Sequence, residues 1–158
     1  MKTSAKKSST RTKRTASSMK LKQIMTPDVV VVGPNDTLQI AARKMQERDI
    51  GFLPVCDGQR LIGTLSDRDI TVRAVASGHD PKVAQVREFV TPQTVWCFDD
   101  EEVDQAARKM QDNQVRRLMV LHRDDKSLVG VVSLGDLAAN GTHKISSEVL
   151  ASTSPQAD

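Results

Sequence analysis

Two stretches of the chain carry the same alternation of apolar and polar positions. Leu38, Ala41, Ala42 and Met45 fall at helical spacing, and so do Val103, Ala106, Ala107 and Met110, which places each set on one face of a predicted helix. Before each helix stand a Thr-Pro pair and a short apolar run, residues 29–32 and 94–98, whose length and β-branching predict a strand. After it come two further apolar runs, 52–56 and 61–65 in the first stretch, 117–121 and 128–132 in the second. The first pair flanks Asp57-Gly58, a dipeptide suited to a tight hairpin turn. Ser66 and Ser133 then open closing helices predicted to reach about Ser77 and Asn140, with Gly78 and Gly141 as their stops. Asp36 and the cluster Asp99-Asp100-Glu101-Glu102 stand just before the central helices, where caps and the helix dipole favour negative charge. The predicted order is strand, helix, strand, strand, helix, twice.

The duplication extends to the letters. Ala41-Ala42-Arg43-Lys44-Met45-Gln46 recurs as Ala106-Ala107-Arg108-Lys109-Met110-Gln111 at an offset of 65, and at that offset Thr26-Pro27 matches Thr91-Pro92, Val30 matches Val95 and Ile50 matches Val115. A two-residue insertion near Arg123 moves the register to 67, which pairs Leu61-Ile62-Gly63 with Leu128-Val129-Gly130, Ser66 with Ser133 and Asp69 with Asp136. Two copies are too few for a solenoid, so each is expected to cover the other's apolar face. The expected organisation is a basic tail over residues 1–20, a first repeat over 21–78, a linker over 79–88 containing part of a short helix at 83–89, a second repeat over 89–141, and a Ser-rich tail over 142–158.

A chain of 158 residues suits one domain or two small repeats and leaves no room for a separate catalytic domain. With 38% hydrophobic and only 3% aromatic residues, the core must be built from Val, Leu, Ile, Ala and Met. The net charge of +3 belongs to the start of the chain, since residues 1–20 hold seven Lys or Arg and no acid, leaving 16 basic against 20 acidic residues elsewhere. That tail has no apolar periodicity and is expected to be disordered. A solvated extension, a non-specific nucleic-acid contact and an organellar transit peptide all fit its composition, although no aromatic residues are interleaved for stacking on bases. It lacks the roughly 7–15-residue apolar core of a secretory signal, and no run approaches membrane-spanning length. With only Cys56 and Cys97, and no CxxC spacing, a reducing cytoplasm is the simpler expectation, a single bridge between them the alternative. His79, His122 and His143 fall in predicted loops at unrelated spacing, so neither a metal site nor a nucleophile and base pair is expected. No catalytic activity is predicted.

Several phrases together resemble a known family. Met25-Thr26-Pro27, Ile50-Gly51-Phe52-Leu53-Pro54-Val55 and Gly63-Thr64-Leu65-Ser66-Asp67-Arg68-Asp69 in the first copy, with Val90-Thr91-Pro92, Val115-Arg116-Arg117-Leu118-Met119-Val120 and Gly130-Val131-Val132-Ser133-Leu134-Gly135-Asp136 in the second, are similar to the signatures of a tandem pair of CBS domains, the Bateman module. The chain also resembles the small stand-alone bacterial members, those of the hypoxic-response type among them. The resemblance implies a mixed α+β fold with pseudo-twofold symmetry. It also implies two clefts between the repeats that hold AMP, ADP, ATP, NAD or S-adenosylmethionine in various members, and homodimers formed through paired helices. No obligatory cofactor is implied.

The Ser-x-x-Asp pattern is by itself a capping box, and a helix start with free N–H groups also suits an anion. On the ligand reading Ser66 and Ser133 donate to phosphate, while Asp69 and Asp136 accept from the ribose hydroxyls. The resemblance groups Thr26, Val30, Ile50 and Gly51 with Ser133 and Asp136 in one cleft, and Thr91, Val95, Val115 and Arg116 with Ser66 and Asp69 in the other. Arg116 and Arg117 suit phosphate or are solvated strand-end cations; Gly51 and Phe52 hold those places in the first copy, so unequal clefts are expected. Arg68 either assists phosphate or is solvated. The expected function is an energy- or redox-state sensor that binds an adenine nucleotide and signals to a regulated protein partner. The alternatives are a nucleic-acid-associated protein using its tail and a ligand-free dimerisation scaffold.

Overall fold

The computed structural model describes residues 19–140; most of the expected basic tail, the Gly141 helix stop, His143 and the Ser-rich end lie outside the described residues. The two central helices are α1, Leu38–Arg48, and α2, Val103–Asn113. They bury the positions their periodicity marks, Leu38, Ala41 and Met45 in one and Val103, Ala106, Ala107 and Met110 in the other, except that Ala42 is exposed. Both stop at a left-handed residue, Asp49 and Gln114. The cap of α1 is Thr37, whose hydroxyl accepts from Ile40 N at 3.3 Å, rather than Asp36, whose carboxylate accepts from Gly33 N at 2.9 Å. Glu102, from the acidic cluster, is the N-cap residue of α2, and its N–H donates to Gln105 at 3.0 Å.

Strands β1, Phe52–Asp57, and β2, Arg60–Ser66, form one antiparallel hairpin. Strand β3, Trp96–Phe98, runs parallel to β4, Arg117–Leu121, which pairs antiparallel with β5, Leu128–Ser133. The strand expected at 29–32 is reduced to one bridge, Val32 to Val55. Pro54 is one cause. In the second copy Met119 N donates to the Val95 carbonyl at 3.2 Å; the residue in the same register of the first copy is Pro54, which has no N–H to give, and the Val30 carbonyl has no hydrogen-bond partner among the described residues. The closing helices also differ. The second copy has the short α3, Leu134–Ala139, while the first is a π-helix over Asp69–Val75, a rare form at this length.

The leading segments of the two copies are exchanged. Leu21 is buried among Cys97, Val103, Met110 and Leu118 of the second copy, whereas Ala84, Val86 and Phe89 are buried among Leu38, Leu53 and Leu65 of the first. The bonds match: Val103 N donates to Met19 O and Leu38 N to Ala84 O, both at 3.0 Å. Met19 and Lys20, placed in the tail by composition, are thus bonded to the body. The expected linker is the second copy's own leading segment from Ala84 onward, and its short helix is a 3₁₀ turn at Val86–Glu88, the counterpart of Leu21–Gln23. Each segment then lies against a strand of the other copy, Thr26 pairing with Val131 and Thr91 with Thr64. Glycine permits that approach: a Cβ on Gly63 would run into the Thr91 carbonyl, and one on Gly130 would come within 2.5 Å of Met25 Sδ and force that side chain to shift.

Candidate functional site

The exchange brings strand ends from both copies around one cavity of about 360 Å³. Thr26, Val30 and Ile50 reach it from the first copy, and Ser133 and Asp136 from the second, the grouping expected for the first cleft. Gly51 does not line it; its carbonyl accepts from Asp67 N at 2.9 Å. Ser133 and Asp136 form a complete capping box: Ser133 N and Oγ both donate to Asp136 Oδ2 at 2.7 Å, and Asp136 N donates to Ser133 Oγ at 3.2 Å. The Oδ1 oxygen of Asp136 accepts no hydrogen bond from any described residue. Two acceptors on lining residues are therefore uncommitted among the described residues, the Val30 carbonyl and Asp136 Oδ1.

The second cleft is divided between two adjoining cavities. Val95, Val115 and Arg116 line a cavity of about 280 Å³, together with Thr64, Thr94 and Met119. A neighbouring space of about 540 Å³, bordered by Trp96, Lys109 and Asn113, shares Gln93, Thr94, Val95 and Val115 with it. Thr91, Ser66 and Asp69, grouped with this cleft from the sequence, are absent from its lining. Asp69 is fully engaged: its Oδ2 accepts from Ser66 N at 2.8 Å and Ser66 Oγ at 2.7 Å, and its Oδ1 pairs with Arg73 at 3.4 Å. Partial burial works to raise the Asp69 pKa, but the bonds from Ser66 and the Arg73 guanidinium outweigh it and hold the carboxyl below its ordinary value. Arg68 is exposed and lines neither cavity; its backbone N donates to Asp67 Oδ1 at 2.7 Å.

Arg117 and Phe52 stand between the two. The Arg117 guanidinium lies 4.9 Å from the Phe52 ring centroid, and both residues line both cavities. The arginine pair expected to mark the second cleft is thus divided: Arg116 lines the second cavity and not the first, and with Arg117 it borders a separate space of about 360 Å³ beside Ser133, Leu134 and Gly135. Asp28, Val29, Arg48, Pro54 and Val131 also line the first cavity and were not singled out from the sequence. The repeat register held the signal for them: Asp28 corresponds to Gln93, Val29 to Thr94, Arg48 to Asn113, Pro54 to Met119, and Val131 to Thr64, all of which border the second cleft or its extension. The first cleft therefore carries a charged acid and base where the second carries two amides.

Cys56 and Cys97 are free, buried thiols. Burial raises both pKa values, and for Cys97 the Glu101 carboxylate adds to the rise, which reaches about 11. At neutral pH these are thiols rather than nucleophilic thiolates. Among the described residues no cluster of three or more His, Cys, Asp or Glu side chains could hold a metal ion, and no helix is long and apolar enough to cross a membrane.

A family model for the CBS domain matches residues 21–75 and again 86–141. The chain belongs to the CBS domain family. Its duplicated halves are the two CBS domains of a pair, each matched from within its exchanged leading segment. Hypoxic response protein 1 of Mycobacterium tuberculosis is 37% identical over 138 residues, which span 86% of this chain and 95% of that protein. The CBS domain-containing protein YhcV of Bacillus subtilis is 38% identical over 120 residues, 76% of this chain and 84% of that one. Among solved structures, Hypoxic Response Protein I with two coordinated zinc ions superposes with a TM-score of 0.69 at 36% identity, covering 77% of this chain and 98% of that one. The CBS pair of protein MJ0100 in complex with 5′-methylthioadenosine and S-adenosyl-L-methionine has a TM-score of 0.66 at 25% identity over 80% of this chain and 98% of that one. CBSX2 in complex with AMP gives 0.65 at 26%, over 78% and 96%.

Proposed function

We propose that this CBS pair is a non-catalytic regulatory module that binds an adenosine-type ligand in the first cleft, and that a partner protein reads the resulting shift between the repeats. The observation that carries the reading is the uncommitted Asp136 oxygen on a cavity lined by both copies. A fixed carboxylate oxygen accepts from vicinal ribose hydroxyls. The unpaired Val30 carbonyl accepts from the adenine amine, with Val30 and Ile50 against the ring. Phosphate falls to Arg48 and Arg117, since the Ser133 hydroxyl already donates to Asp136. The solved relatives with AMP and with methylthioadenosine and S-adenosylmethionine support adenosine as the shared ligand chemistry, which AMP, ADP, ATP and NAD all contain. Because the cleft is built from both copies, its occupant biases their arrangement, the condition for regulation by population shift. Homodimerisation and a cytoplasmic location belong to the same proposal; the exposed Val72 and Val75 on the π-helical segment support the former.

Calorimetry with AMP, ATP, NAD and S-adenosylmethionine tests the proposal. Saturable heat and a raised melting temperature are expected for at least one of them. Asp136→Ala should weaken binding by about tenfold or more, the loss of a hydrogen bond to a charged acceptor. Asp69→Ala should leave the first-cleft affinity unchanged. Absence of heat and of stabilisation with all four ligands, or an unaltered affinity in Asp136→Ala, would overturn it.

A further inference from the structure

We propose that Arg117 is one anion-binding side chain shared by the two clefts, so that a phosphate-bearing ligand in either weakens the binding of a second in the other. The inference rests on the nucleotide-binding reading above and adds the relation between the sites. Arg117 is exposed, and its guanidinium makes no hydrogen bond or ion pair with any described residue; its contact is the Phe52 ring at 4.9 Å. Both residues border both cavities, and they occupy the same place in the two copies, at the offset of 65. Two arginines there would supply one cation to each cleft. With Phe52 in the first copy, one cation serves two.

The ring offers the guanidinium an exposed cation–π contact, a weak interaction that a bidentate bond to phosphate readily displaces. Once bound to phosphate in one cleft, the guanidinium is withdrawn from the other. Each cleft retains a cation of its own, Arg48 on the first and Arg116 on the second, so the second ligand still binds, but less tightly. The second cleft also has a polar group awaiting a partner: Thr94 Oγ1 is the buried side-chain oxygen without a hydrogen bond among the described residues, and Thr94 lines that cavity, a condition that native interiors seldom leave unexplained. An uncharged nucleoside makes no demand on Arg117, so adenosine binding carries no such coupling.

The full chain is titrated with AMP and with adenosine by calorimetry. Variants Val30→Phe and Thr94→Phe, each filling one cleft, give the affinity of the other cleft alone; Val30→Met and Thr94→Met replace them if either melts early. Fluorescence of Trp96, the single tryptophan of the chain, 41% exposed beside the second cleft, reports which site fills. For AMP, the product of the two wild-type binding constants should fall about tenfold short of the product measured in the filled variants, the reciprocal penalty of a coupled pair. For adenosine the products should agree, and in Arg117→Met they should agree for AMP as well. Equal products for AMP in the wild type show independent clefts and overturn the proposal while leaving nucleotide binding intact. A shortfall that survives in Arg117→Met is repulsion between the two phosphates and also overturns it. Absence of AMP heat in the wild type and in every variant overturns this proposal; absence of heat with ATP, NAD and S-adenosylmethionine as well removes the nucleotide-binding reading with it.

Discussion

Ser66–Asp69 and Ser133–Asp136 make the same three capping hydrogen bonds, and what separates them is the second carboxylate oxygen. On Asp69 it meets Arg73, which also donates to the Phe89 carbonyl at 2.8 Å; the residue in Arg73's register in the second copy is Asn140, whose amide turns instead to the Asp136 backbone carbonyl. The structural use of the motif therefore dominates in the first copy. Because the Asp69 pKa is lowered in the folded chain, its contribution to stability is present at neutral pH and is lost as pH falls below the ordinary value of 3.8 and through the lowered one. Asp69→Asn should melt earlier than the wild type at pH 7, by about 1 kcal/mol as for a lost helix cap, and the gap should narrow as denaturation is followed into that acid range. A gap independent of pH would show that the carboxylate's charge has no part in it. The box itself was legible, since it is local and four residues long. That Ser66 and Asp69 would miss the second cavity was not, because it depends on how Phe52 and the exchanged strands shape that space.

At the scale of elements, two prolines decide whether a strand forms. The apolar runs 29–32 and 94–98 are equally strand-like, yet one becomes β3 and the other a lone bridge, because the flanking rungs need N–H donors and Pro54 and Pro34, in the places of Met119 and Asp99, have none. Both prolines are visible in the sequence; the rungs they remove are visible only once the partner strand is known. The π-helical closing segment was hidden for a different reason: Ile70 and Ala74, its buried residues, sit four apart, a spacing that an α-helix satisfies equally well. Gly63 and Gly130 read as ordinary strand glycines, and the seams they allow come from segments some 30 and over 100 residues away in the chain. Gly63→Ala should destabilise by about 1–3 kcal/mol, the usual cost of overpacking, since its obstacle is the Thr91 backbone. Gly130→Ala should cost less, since the nearest obstacle is the flexible Met25 side chain. Urea denaturation of the two variants measures the difference, and the reverse order would show that the Thr91 segment yields more easily than Met25.

For the molecule as a whole, the duplication and its strand, helix, strand, strand, helix order were readable because identical letters recur in register. The crossing of the leading segments was not, since a hydrophobic residue such as Leu21 or Val86 shows that it is buried without showing in which core. Composition accordingly divided the chain at Gly78 and marked residues 79–88 as a linker, whereas from Ala84 onward the chain holds the first core together. A protease site placed between Gly78 and Pro81, in the exposed stretch before that segment, should yield two fragments that elute together on gel filtration without denaturant. Separation of the fragments would mean that the exchanged contacts are too weak to hold the pair. If the fragments stay together, the crossed segments make covalent continuity between the halves dispensable: each half carries the piece that completes its neighbour, and two separate polypeptides divided at that point would reassemble the fold.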